Sequence, residues 1–484
     1  MPGTRSLSLR DLSSFGDVAA EDDAVLDYFL TTDAVDRIRN NEALLVLGRK
    51  GAGKTALVRH FAEGNAKTVS RSINLGGYPW NVHAQRIDRG ASDMEAYVSS
   101  WRYSIAVQLA SLALSRASES TEENAQAIRQ FLADNYGGGA PQLDNVLRPS
   151  KLRLSSMSFE PQVFGCKLGA IALDRGSGDL RLGMELNALS ELLLRATIHL
   201  AKKLRLPALM LHFDELDQGI STVTKERARM LAGLVLAARS VRQACSQSAV
   251  PINPVIYLRT DLWDELSFSD KNKISETLAL HLEWHDESLL DLVRTRLRAK
   301  LGPGATWESI TTPDPLRGSQ SKWHYILGRT FLRPRDVIKF LNSALDQARR
   351  RSEEPLLLSN PDVVNARERY SAYLKSELDD EIIAHWPGWD EALQACSVIS
   401  TITFQRDQFA EEYERRRSAA NAVGVDEALE LLFRFSVVGY ERRSGYGGTY
   451  WAFQYTNPEA GWDTRASRFK VHLGLKEFAK LREE

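Results

Sequence analysis

Through its first 285 residues the chain alternates short apolar runs with longer stretches whose apolar residues return every three or four positions. The runs Ala43-Leu44-Leu45-Val46-Leu47, Ala208 to Phe213, Pro254 to Leu258 and Leu278 to Leu282 have the length and bulk of buried parallel strands. Helical spacing appears over Thr55 to Phe61, near 93–134, over Glu287 to Arg298 and over Val337 to Ala348. Beyond about residue 375 the pattern changes to three helices (Trp389 to Ile399, Thr403 to Ala419, Asp426 to Phe435) and a hairpin. Its strands, Val437 to Arg443 and Thr449 to Tyr455, flank the glycine-rich turn Ser444 to Gly448. The pattern predicts an α/β core over 1–285, a helical segment over 286–375 and a small domain over 376–484, with Arg349 to Pro355 as a charged break.

The first strand runs into Gly48-Arg49-Lys50-Gly51-Ala52-Gly53-Lys54-Thr55, which satisfies G-x-x-x-x-G-K-[ST] and is followed by Ala56 and a helical pattern. Glycines let the backbone curl so that successive N–H groups point at phosphate oxygens, beside the positive end of the next helix. The motif predicts a nucleotide site in which Gly48 to Ala56 wrap the phosphates, Lys54 reaches the β- and γ-phosphates, and the Thr55 hydroxyl holds Mg²⁺.

Hydrolysis needs a second metal anchor and a group that orients water, and buried strands supply such groups at their ends. Ala208 to Asp217 ends in acids, which places Asp214 on the metal and Glu215 on the lytic water; Asp217 supports the metal shell or caps the next segment. The plainer alternative makes these acids ordinary turn residues. The next strand ends in Arg259-Thr260-Asp261. Arg294, Arg296 and Arg298 cannot share one helix face, so at least one meets solvent or a neighbour. Arg333 and Arg335 open a helix through Pro334, where the helix dipole disfavours cations that have no other task.

Composition narrows the setting. Hydrophobic residues make up 43% and charged residues 26% of 484, and no apolar run approaches the ~18 to 20 residues that span a bilayer. The N-terminus lacks the apolar core of a secretion signal, and Cys166, Cys245 and Cys396 form no zinc framework, so a cytoplasmic setting is expected. With 62 Lys plus Arg against 63 Asp plus Glu, any nucleic-acid contact must rest on a local patch.

The ordered motifs resemble the AAA-like and STAND-like branch of P-loop ATPases. Phe213 to Asp217 is similar to the acidic strand of Cdc6 and origin-recognition ATPases, and Gly48 to Leu57 to a poorly characterised bacterial P-loop ATPase family. Over roughly 25–350 the resemblance implies a P-loop NTPase core with a mostly parallel five-stranded sheet, a helical lid, and ATP with Mg²⁺. It also implies that Arg259 and Thr260 sense the γ-phosphate and that Arg333 and Arg335 act as lid arginines. Three helices and a wing after the lid imply a winged-helix-like domain. The chain departs from the family between 75 and 200, where Gly137 to Gly139, an alternating Lys151 to Phe159 and a strand-like Val163 to Leu173 read as a β-hairpin insertion at about 135–185.

Arg442, Arg443, Arg415, Arg416 and Arg417 would suit a DNA-binding wing, but Glu411, Glu412, Glu414, Asp426, Glu427 and Glu430 crowd the same region. The alternating aromatics Tyr450, Trp451, Phe453 and Tyr455 are expected to pack inward. The leading expectation is an oligomeric, ATP-hydrolysing regulatory switch with a homo-oligomeric or protein partner and no membrane contact; the resemblance associates such ATPases with bacterial defence or signalling. The alternatives are a DNA-binding initiator or loader ATPase and a nucleotide-stabilised scaffold with little turnover.

Overall fold

The computed structural model describes residues 9–63, 68–76, 93–138, 140–143, 146, 180–217, 224–248, 250–352, 357–445 and 447–483. The strands expected at 151–173, and Cys166 among them, lie outside the described residues. The chain forms two compact units: one holds 31–49 and 54–282, the other the residues up to Leu30, Lys50–Gly53 and Glu283 onward.

The first unit is built on five strands, β1 (Leu45–Gly48), β2 (Thr68–Asn74), β3 (Ala208–Asp214), β4 (Ile252–Arg259) and β5 (Ala279–His281). They lie in the order β2-β3-β4-β1-β5 and every pairing is parallel, as in a P-loop NTPase core. Both faces are covered, which is why β1 and β4 are buried along their whole lengths. Helix α1 (Lys54–Glu63) packs Phe61 on one face, against His212. On the other face α2 (Asp93–Ser115), α3 (Glu123–Tyr136), α4 (Leu180–Lys203) and α5 (Lys225–Cys245) share one apolar cluster with Leu45, Leu47, Leu211, Phe213 and Ile256. Helices α2 and α5 approach closely at Gly233, where a Cβ would stand 2.7 Å from that of Tyr97, and the Trp101 indole N–H donates to the Met230 carbonyl at 3.0 Å. Edge strand β2 escapes apolar-run detection because Ser70, Arg71 and Ser72 interrupt it; Arg71 is held by Gln108 and Ser111 at 3.0 and 3.2 Å.

The second unit is mainly helical. It contains α6 (Asp286–Leu301), α7 (Pro334–Arg351) and α8 (Asn360–Ile382), followed by α9 (Trp389–Ile399), α10 (Arg406–Arg416) and α11 (Val425–Arg434). Helix α8 runs unbroken through residue 375, where the composition shift placed a domain boundary. The N-terminal segment also belongs here: Leu9, Leu12 and Phe15 join the core of this unit, and Asn342 brackets Phe15 N–H and Gly16 carbonyl at 2.8 Å each. After α8 comes a winged-helix-like section with strands β6 (Thr403–Gln405), β7 (Val438–Arg443), β8 (Thr449–Ala452) and β9 (Arg468–Val471) in the antiparallel order β6-β9-β7-β8. The helix expected from Thr403 starts only at Arg406, because Thr403 to Gln405 pair with β9 and Phe404 stacks on Phe469. Among the described residues no helix is long and apolar enough to cross a membrane.

A buried ion pair ties the N-terminal segment to α6: Arg296 lies 3.0 Å from Asp23, with side-chain exposures of 6% and 3%, and donates to the Phe15 carbonyl at 2.8 Å. The Tyr28 hydroxyl bonds to Asp23 as well. Replacing Arg296 by alanine strands a buried carboxylate and is expected to cost about 3 kcal/mol in urea unfolding; a loss below about 1 kcal/mol would show that the pair does not hold the segment.

Candidate nucleotide site

The phosphate loop leaves β1 with Gly51 and Gly53 at φ +80° and +99°, a left-handed backbone that glycine tolerates, and α1 starts at Lys54. Lys54 Nζ donates to the Gly48 and Arg49 carbonyls at 2.8 and 3.1 Å, curling the chain around its own ammonium. The residue keeps some exposure, but the ammonium is enclosed; burial pulls its pKa down to about 8, against the upward pull of Asp217 and Asp214.

The sheet order explains how the acids reach this lysine. β4 lies between β1 and β3, in register Gly48 with Arg259 and Phe213 with Ile256, so the ends of three neighbouring strands face one place. Asp214 closes β3 and is 6% exposed. Burial raises its pKa, while the Glu215 N–H, the Thr55 hydroxyl and Lys54 oppose that rise. Thr55 and Asp214, the residues expected to hold Mg²⁺, are thus brought near enough for the hydroxyl to weigh on the carboxyl. A hydroxyl and a buried carboxylate are hard oxygen donors that fit a magnesium ion carrying phosphate and water in its other positions.

Glu215 sits at φ +58°, a left-handed conformation uncommon for a side-chain-bearing residue, and this bend ends β3 immediately after Asp214. Arg259, 8% exposed, closes β4: its guanidinium makes two bonds to Asp261, at 3.0 and 2.6 Å, and one to Asp217 at 3.3 Å. Asp217 therefore has a definite place, on the arginine at the neighbouring strand end. Thr260 begins the short helix Thr260–Glu265. Beneath α1, burial drives the His212 pKa down to about 3; the neutral ring meets the Tyr257 hydroxyl at 2.9 Å and stacks on Phe61 at 5.2 Å. Arg227, near the start of α5, also feels Asp217; burial lowers its pKa to about 10. Neither His212 nor Arg227 stands out in the sequence, since each role depends on strand neighbours far away in the chain.

Within the second unit, Lys50, Gly51 and Ala52 are each engaged. Arg333, 2% exposed, accepts no solvent role: it bonds to both Asp336 oxygens at 2.9 and 3.0 Å, to Glu381 at 2.6 Å, and to the Lys50 carbonyl at 2.8 Å. Arg335 bonds to Glu377 at 3.1 Å and to the Val18 carbonyl at 3.1 Å, and its N–H reaches the Gly51 carbonyl at 3.4 Å. Trp284 donates to the Ala52 carbonyl at 2.9 Å. Of the three arginines on α6, Arg296 is buried, Arg294 pairs with Asp291 and Glu308, and Arg298 is exposed, as helical spacing requires.

The winged-helix-like section carries mixed charge. Arg415, Arg416 and Arg417 are paired with Glu411, Glu412 and Glu414 on their own helix. The third helix, α11, exposes Asp426, Glu427 and Glu430. Arg442 and Arg443 are exposed at the wing, and Arg468 and Lys470 each lie 5.6 Å from the Trp451 ring centre. Phe453 packs inward, but Tyr450 is 38% exposed and Trp451 half-buried: burial along β8 rises only towards Ala452. Cys245 and Cys396 are buried, and among the described residues no group of acids, histidines and cysteines forms a metal cluster.

Residues 287–379 match the family described as FunZ-associated C-terminal helical domain. The chain is 23% identical over 408 residues to the "Putative transposon gamma-delta 80.3 kDa protein" of Escherichia coli (strain K12), covering 80% of this chain and 53% of that protein. It thus spans about half the length of the curated relative it matches. Among solved structures, it is similar to the Aeropyrum pernix ORC1 protein in complex with DNA (13% identity, TM-score 0.37, 92% of this chain and 91% of that one). It is also similar to Cdc6p from Pyrobaculum aerophilum (11% identity, TM-score 0.24, 92% of this chain and 89% of that one).

The lowered pKa of Lys54 gives a stability test. At pH 7 the amine is charged in both folded and unfolded chains, so the cost of enclosing the charge is fully present. That cost fades as pH rises from about 8 towards the unfolded value of 10.5, because only the folded chain releases the proton there. Lys54→Met is expected to stabilise the protein by about 2 kcal/mol in denaturant unfolding at pH 7, with a clearly smaller gain at pH 10; an equal gain at both would contradict the shift.

Proposed function

We propose that the chain binds ATP with Mg²⁺ and hydrolyses it as a regulatory switch. The observation that carries this reading is Lys54, bonded back to the Gly48 and Arg49 carbonyls at the end of β1, beside the buried Asp214 at the end of β3, with β4 between the strands that deliver them. Gly48, Arg49, Lys50, Gly51, Ala52, Gly53, Lys54, Thr55 and Ala56 would hold the phosphates through backbone N–H groups and the Lys54 ammonium. Thr55 and Asp214 would hold Mg²⁺, which when bound neutralises phosphate charge. Glu215 orients the attacking water and takes its proton, and Arg259, held flat by Asp261, senses the γ-phosphate. Arg333 serves this scheme as a positioning residue through the Lys50 carbonyl, and Arg335 as the lid cation. An N-terminal ATPase core, a helical lid and a regulatory winged helix are the corresponding functional divisions, with a protein partner or second copy as the target of the switch.

A DNA-associated role is the second reading. Arg442, Arg443, Arg468 and Lys470 on the wing sheet and the transposon description of the relative support it. The acids exposed on α11 weigh against it, since a recognition helix bearing three carboxylates repels phosphate.

ATP turnover and oligomer mass, measured with and without DNA, test these readings. Glu215→Gln is expected to keep ATP bound while lowering turnover at least about a hundredfold, and to trap any ATP-dependent assembly; Lys54→Ala should lose ATP. Turnover stimulated by DNA in a salt-sensitive way would transfer the weight to the second reading. Tight ATP binding without turnover would leave a scaffold.

A further inference from the structure

Of the four positions that the motif leaves open, two carry cations, Arg49 and Lys50, and Lys50 is taken up by acids from α8. Its ammonium lies 2.7 Å from Asp380 and 3.4 Å from Glu377. The same Glu377 oxygen is 3.1 Å from the Arg335 guanidinium. Arg335 is pressed against Gly51: a Cβ on that glycine would stand 2.8 Å from the Cβ of Arg335. One carboxylate oxygen therefore collects both cations that border the loop tip, as an oxygen of a bound phosphate would.

The two acids differ in weight. Asp380 is 67% exposed, so water and salt screen its pair with Lys50. Glu377 is 14% exposed, accepts from Arg335, pairs with Lys50, and is held on a long helix whose next turn also binds Arg333 through Glu381.

We propose that Glu377 is a specificity-determining residue that stands in for the γ-phosphate at Lys50 and Arg335, and so lowers the affinity for ATP relative to ADP. This rests on the ATP reading above. A triphosphate offers a charged oxygen that exchanges with Glu377; a diphosphate leaves Glu377 on its cations. The exchange costs ATP the two Glu377 contacts and costs ADP nothing. After hydrolysis Glu377 recovers Lys50 and Arg335, which restores the ion pairs at the loop tip.

Equilibrium binding of ATP and ADP to the full chain by calorimetry, with Mg²⁺, tests the exchange. Glu377→Gln is expected to tighten ATP about tenfold while changing ADP by less than about twofold. In an Arg335→Ala background the gain should shrink to about threefold or less, because one of the two contacts is already gone. Should Glu377→Gln unfold, Glu377→Asp keeps the charge but withdraws it by one methylene, and should tighten ATP about threefold with ADP unchanged. An ATP to ADP ratio that stays within about twofold of the native one, in a chain that binds ATP and loses it on Lys54→Ala, overturns the role of Glu377 and leaves the ATP reading intact. If the native chain binds neither nucleotide, both fall.

Discussion

The placement of β4 between β1 and β3 is the constraint on which the rest of the site depends. Strands in one sheet lie about 4.8 Å apart, so the phosphate-loop strand and the acidic strand are separated by about 10 Å of backbone. Thr55, from the first turn of α1, and Asp214, from the end of β3, reach towards each other across that gap. Arg259 closes the strand between them and is tethered on both sides by Asp217 and Asp261. A parallel sheet puts all these ends on one edge, and the neutral His212 stacked on Phe61 fixes α1 over it.

This arrangement carries opposite costs. Enclosing Lys54 and Asp214 makes both charged forms harder to keep, and each partly offsets the other. The left-handed backbone at Glu215 adds local strain. None of this helps the chain fold, and the apolar strands on either side supply the stability that tolerates it.

The short motifs of the candidate site could be located in the sequence. Gly48 to Thr55 and Asp214-Glu215 stand out by residue type at fixed local spacing, and the sheet order brings them to one edge. Apolar runs located four of the five parallel strands within a residue or two of their ends, whereas β2 was hidden by its polar centre. Partners set by the fold left no local mark. Nothing near Glu377 names Arg335 or Lys50 as its neighbours, and nothing in Phe15 foretells its place beside Asn342. The change of pattern near residue 375 falls inside α8, because a helix can change its neighbours midway without a break in its own backbone. Trp451 shows the same limit: alternation identifies a strand, but which of its faces is covered depends on β9 and the helices packed beneath.

The last turns of α8 meet two different neighbours. On one side Glu377, Asp380 and Glu381 hold Lys50, Arg335 and Arg333. On the other, Asp379 accepts from the Trp389 indole at 3.1 Å, and Lys375 bridges Asp379 and Asp390 at 2.8 and 2.9 Å, which fastens the first turn of α9. The phosphate-loop tip and the entrance to the winged-helix-like section are therefore separated by the width of one helix, about 10 Å. A roll of α8 that relaxed the acids on one side would therefore move the indole and ammonium on the other, with no chain of intermediaries between them.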